Sequence, residues 1–128
     1  MENIEIAAVY VGVNILILTW LALRVGGGRM KHKVNLGTDG NEDMELRVRA
    51  HGNATEYAPA FMVGLVVASF VGVSGLALHI LGAGFTLGRL MHAFGLPSGN
   101  RFLRAGGTLL TWVGSLAVAG LVIFHALV

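Results

Sequence analysis

Residues 6–23 form a run in which only Asn14 and Thr19 are polar. An uncharged run of that length is long enough to cross the hydrocarbon of a bilayer as an α-helix. In hydrocarbon, backbone donors and acceptors must be satisfied internally, so only helices and closed barrels can span. Further apolar stretches occupy 58–73, 76–94 and 109–128. The chain is 55% hydrophobic and 12% charged, against about 25% charged for a soluble domain. The expectation is an all-α membrane protein. It is a four-transmembrane-helix bundle, left-handed and up-down, with helices at about 4–25, 43–73, 76–95 and 100–127. The length leaves room for a single domain, residues 1–128.

Local signals set the boundaries. Arg24 ends the first run, and Gly26 to Gly28 are expected to break the helix. Gly37, Asp39, Gly40 and Asn41 read as a loop, and Asn41 or Asp43 as the cap of the second helix. Pro59 should kink or loosen that helix. The segment 71–75 is a turn, and 95–100, with Pro97 and two glycines, is a second turn. Nineteen glycines suit helices packed closely through small residues. Acidic Glu2 and Glu5 precede the first run, which argues for a spanning helix rather than a signal peptide.

All nine Lys and Arg lie between Arg24 and Arg49 or between Arg89 and Arg104. Four helices place those segments on one side, so both are read as cytoplasmic and both termini as non-cytoplasmic. The basic balance follows topology and is no nucleic-acid signal. Absence of cysteine excludes disulfides, thiolate metal sites and a thiol nucleophile. His79 and His125 are isolated and no paired-His motif occurs, so no metal is expected. Trp20 and Trp112 read as interface or packing aromatics, and Gly82, Gly84 and Gly88 as a close helix contact.

The second helix starts in water and enters the membrane without a break. At about 100° per residue, Glu45, Arg49, Asn53 and Glu56 fall on one stripe, with Arg47 and His51 on roughly the opposite side. Glu45 reads as a solvated partner of Arg49. Arg49, Asn53 and Glu56 lie deeper, where facing lipid costs several kcal/mol each, so they mark a functional face. The same end of the bundle carries Arg29, Lys31, Lys33, Tyr57, Arg89, His92, Arg101 and Arg104. Surplus guanidinium suits a ligand with several carboxylates, and Glu56 suits an ammonium on the same ligand. That combination fits a zwitterionic, multiply acidic peptide.

The series Arg49, Asn53, Glu56, Tyr57, followed by Pro59, resembles the Arg-x-x-x-Asn-x-x-Glu-Tyr signature of the MAPEG family. These are membrane-associated proteins in eicosanoid and glutathione metabolism. The resemblance covers nearly the whole chain and is nearest to the small prokaryotic branch. It implies a homotrimer with glutathione, as cosubstrate, held between subunits near the cytosolic face. It implies that Arg29, Arg49, Asn53, Glu56 and Tyr57 bind glutathione. It implies that Arg104 is the catalytic arginine, since a cation beside a thiol favours the thiolate. Where leukotriene-forming members carry two tyrosines at the end of the third helix, this chain has His92 and Leu96. His92 is the remaining candidate donor to glutathione there. A glutamine of the second-helix motif is His51 here.

The leading expectation is therefore a glutathione-dependent membrane transferase or peroxidase acting on lipophilic small molecules that arrive from the bilayer. It would lie in a bacterial inner membrane, in contact with membrane lipids. A non-catalytic lipid-binding or scaffold protein of the same fold is the alternative. A small proton-coupled exporter ranks last, because the first helix has no carboxylate beyond Glu5.

Overall fold

The computed structural model describes residues 2–128. It is an all-α bundle of four helices: α1 (Asn3–His32), α2 (Glu42–Phe70), α3 (Gly75–Ser98) and α4 (Arg101–Leu127). Helix starts are chemically marked. The side chains of Asn41, Ser74 and Asn100 accept hydrogen bonds from the N–H groups of Met44, Ala77 and Leu103, which satisfies donors that a helix start leaves free. The ends of α1 and α3 are closed by left-handed residues, Lys33 (φ 55°) and Gly99 (φ 69°).

α3 and α4 make the most extensive contact, α1 and α2 the next, while α1 and α4 lie on opposite sides of the bundle. Phe61 and Phe85 stack at 3.7 Å in the centre, surrounded by Leu65, Leu78, Leu81 and Val118. A second apolar cluster, Ile17, Leu21, Ala50, Ala54, Ala93 and Leu96, joins the first three helices. α1 and α4 are long and apolar enough to cross a membrane, yet only 28% and 17% of their most apolar stretches are buried. A core helix of a soluble protein would be mostly buried, so these two helices leave most of their apolar surface free in the single chain. The polar groups of α2 and α3 dilute their apolar character below that of the other two helices, Asn53 and Glu56 in one and His79, Arg89 and His92 in the other.

Two expected breaks are absent. α1 runs straight through Gly26 to Gly28 and ends only at His32. The reason is visible at Gly28: a Cβ there would stand 2.7 Å from Arg47 Cδ and from Met44 Sδ. That glycine admits α2 rather than ending α1. α3 likewise continues through Gly95 and Pro97 to Ser98. A Cβ on Gly95 would be 2.5 Å from the backbone N of Arg104, so this residue too allows a close approach. The turn itself is confined to Gly99 and Asn100. Pro59 lies exposed inside a continuous α2.

Candidate functional site

The predicted stripe lies on the side of α2 away from the bundle. Met44, Ala50, Ala54, Ala58, Phe61 and Leu65 are buried on the inner side, whereas Glu45, Arg49 and Glu56 are exposed. The helical period that buries the alanines necessarily turns the stripe outward. Thr38, Glu42, Glu45, Leu46, Val48 and Arg49 line a groove of about 500 Å³ at this head. A second groove of about 500 Å³ runs along α4, lined by Arg101, Arg104, Ala105, Thr108, Leu109 and Trp112. Its walls pass from guanidinium at the upper end to aliphatic and indole surface below, the gradient expected for a ligand with a charged and an apolar part.

Asn53 and Tyr57 connect these regions to the interior. Arg89 Nη1 donates to Asn53 Oδ1 at 2.9 Å and to its backbone carbonyl at 3.3 Å. The same guanidinium lies 5.7 Å from the Tyr57 ring centroid. Trp112 Nε1 donates to Tyr57 Oη at 3.2 Å. Four side chains from three helices thus form one connected group, and Trp112 carries it to the Arg104 groove. The sequence counts Arg89 among the guanidinium groups at this end without assigning it a contact, and reads Trp112 as an interface or packing aromatic. Arg89 carried a readable signal, a lone charge inside an apolar segment; the indole N–H of Trp112 carried none.

The other predicted residues are engaged differently. Arg29 Nη1 donates to the carbonyls of Gly37 (2.9 Å) and Asn35 (3.5 Å), so in this structure it ties down the α1–α2 loop. His92 is 6% exposed and its backbone packs where a Cβ on Gly107 would come within 2.6 Å of its N. It belongs to the α3–α4 seam and has no side-chain hydrogen bond to the group around Asn53. Leu96 is buried as well.

The mouth of the site is held by charge. His32 Nε2 meets Asp43 Oδ2 at 2.7 Å, and Arg47 Nε donates to the same oxygen at 3.0 Å. Arg47 Nη1 also donates to the carbonyl of Arg24 at 2.9 Å. The hydrogen bond to His32, reinforced by Arg47, holds the Asp43 carboxyl below its ordinary value of 3.8. Among the described residues no cluster of three or more His, Asp or Glu side chains is arranged to hold a metal ion.

The MAPEG family description matches residues 7–124. The chain belongs to the MAPEG family. This family includes enzymes and is linked to glutathione and lipid metabolism. This MAPEG protein is also similar to the inner membrane protein YecN of Escherichia coli strain K12. The two are 31% identical over 111 residues, which cover 87% of this chain and 85% of the relative. YecN of Escherichia coli O6:H1 strain CFT073 matches to the same extent. With two helices apolar enough to span and these relatives, the MAPEG chain is an integral membrane protein.

Proposed function

We propose that this MAPEG protein is a glutathione-dependent transferase or peroxidase of a bacterial inner membrane, acting on lipophilic electrophiles. One observation carries the reading: a donor-rich polar face on α2 is joined through Tyr57 and Trp112 to a groove that grades from Arg104 to apolar surface. Arg49, Asn53, Glu56 and Tyr57 would hold glutathione, with Glu56 taking its ammonium. Arg29 would join them once released from the loop carbonyls, and His92 would contribute only if the seam opened. Arg104 would stabilise the thiolate, and the electrophile would enter from lipid beside Leu109 and Trp112. The chain would supply positioning and electrostatics rather than a covalent nucleophile.

The outward stripe supports a homotrimer. Arg49 and Glu56 are exposed on a membrane helix, where facing lipid is costly, and a neighbouring subunit would cover them. The α2 groove and the α4 groove share no lining residue, so a third wall from another copy would close the site. Both termini would lie outside the cytoplasm, following the two basic segments. Membrane lipids would surround the assembly.

Absorbance of bound thiolate, measured on the purified protein with glutathione, tests this reading. Wild type should show it near neutral pH and Arg104→Ala should lose it. A wild type that binds glutathione without forming thiolate would instead establish the non-catalytic binder. That second reading is favoured by the burial of His92 and Leu96, which withdraws both positions from any ligand in the groove. The exporter reading loses support, because no carboxylate among the described residues is buried in the bundle.

A further inference from the structure

Two hydrogen bonds in the candidate site have a direction that chemistry alone decides. A guanidinium only donates. The atom of Asn53 that faces Arg89 Nη1 at 2.9 Å is therefore the amide oxygen, and the NH₂ is turned away from Arg89. The opposite rotamer would set donor against donor beside a cation that is 3% exposed. Arg89 has no ion-pair partner among the described residues, and its Nε already lacks an acceptor. It has none to give up. An indole N–H also only donates, so Tyr57 Oη accepts from Trp112 at 3.2 Å. The phenolic proton must then point elsewhere.

We propose that Arg89 and Trp112 are positioning residues that fix Asn53 and Tyr57 as hydrogen-bond donors toward the ligand, so that this part of the site selects a carboxylate. Asn53 and Tyr57 are four residues apart on α2, which puts their Cβ atoms about 5–6 Å apart on one face. Sharing a face lets both donors reach one ligand group, the amide N–H bonding one carboxylate oxygen and the phenol the other. A carboxamide in the same place satisfies one donor and turns its own N–H groups against the other. The orientation device is internal to the protein; only the identity of the ligand rests on the glutathione reading.

The test has a ligand-free arm and a ligand arm, both on the full chain in lipid nanodiscs. In the first, Asn53→Asp exchanges the NH₂ for an oxygen at constant shape. The melting temperature should stay level or rise, because the new carboxylate still accepts from Arg89 and now pairs its charge. A clear drop would mean that the NH₂ had an internal acceptor and would overturn the proposal. In Tyr57→Phe the Raman marker of a hydrogen-bonded indole N–H should be lost from Trp112, with Trp20 the one other indole; an unchanged spectrum overturns the Trp112 half. In the second arm, glutathione and its dicarboxamide are titrated calorimetrically. Wild type should prefer glutathione by about tenfold or more, the scale of a hydrogen bond to a charged group. Asn53→Asp should weaken glutathione binding by a similar factor. Trp112→Phe should narrow the preference for glutathione over the dicarboxamide by about threefold, because Tyr57 is then free to accept. Glutathione binding to Asn53→Asp at wild-type strength defeats the proposal and leaves the glutathione reading intact. A wild type that binds neither compound, with the first arm as expected, ends the glutathione reading and leaves the fixed donor polarity standing.

Discussion

The two sides of α4 are built on different principles. Toward α3 the backbones themselves interlock: a Cβ on Gly107 would meet the Gly88 carbonyl oxygen and the His92 N at 2.6 Å, and a Cβ on Gly88 would meet the Gly107 carbonyl oxygen at 3.0 Å. Toward α2 the contact is made by side chains. Gly64 there would place a Cβ 3.3 Å from a Val118 methyl, a groove of about 270 Å³ remains between the helices, and one hydrogen bond, from Trp112 to Tyr57, bridges the upper part. Backbone packing of the first kind leaves no slack, whereas side chains can change rotamer. Arg104 is consequently rigid with respect to α3 and adjustable with respect to the ligand face of α2.

The largest expected effect breaks the rigid side. Gly107→Leu should cost more than about 3 kcal/mol, beyond the usual range for overpacking, and should abolish monodisperse protein in detergent. Gly64→Ala, on the adjustable side, should change stability by less than about 1 kcal/mol. Equal thermal shifts for the two substitutions would erase the distinction. Next in size, Arg104→Ala should lower turnover about a hundredfold, the scale for removing a donor at a developing charge. Its affinity for a sulfur-free glutathione analogue should barely change.

On the α2 side, Arg49→Ala or Glu56→Ala should weaken glutathione binding about tenfold and leave turnover at saturation near wild type, as for contacts present equally in ground and transition states. Steady-state kinetics that show the loss in turnover instead would reverse the assignment of the two walls. The smallest effect concerns the head of α2. Asp43 has its pKa lowered in the folded chain, first by its hydrogen bond to His32. A depressed folded value means that the carboxylate stabilises the fold fully above the unfolded value, and that this is lost as pH falls through the folded one. The difference in melting temperature between wild type and Asp43→Asn should therefore shrink as pH drops from about 6 to about 3. It should be modest throughout, since the side chain is 42% exposed.

Much of the bundle was legible because its signals are local. Asn41 and Asn100 mark helix starts, and the outward stripe follows from counting residues around α2. The errors share a cause. Gly28 and Gly95 look like helix breakers in sequence, and whether a glycine ends a helix or admits a neighbour depends on a segment elsewhere in the chain. Gly28 is explained by Arg47 and Met44, Gly95 by Leu103 and Arg104. Depth along α2 singles out Arg49 and Glu56 as polar groups that need a partner, and the structure leaves both exposed on the outer face, where their role is a proposal. The candidate site was not readable where a partner decides. Arg29 turns to the Gly37 carbonyl, His92 is enclosed by α4, and Trp112 becomes a donor to Tyr57 only once the helices are assembled.

The uninterrupted course of α1 has a consequence for access. Residues 24–32 continue the helix past Leu23, and at 1.5 Å per residue they raise its end by about 13 Å. If the hydrocarbon ends near Leu23, as the apolar run 6–23 suggests, a post of that height would carry the basic rim and the α1–α2 connection clear of the acyl chains. On the proposed transferase reading, two molecules of opposite solubility would then meet without either leaving its own phase, one descending from water and the other drifting sideways in the leaflet. For the second of these, the oil–water partition coefficient sets the encounter rate more than its concentration in solution does.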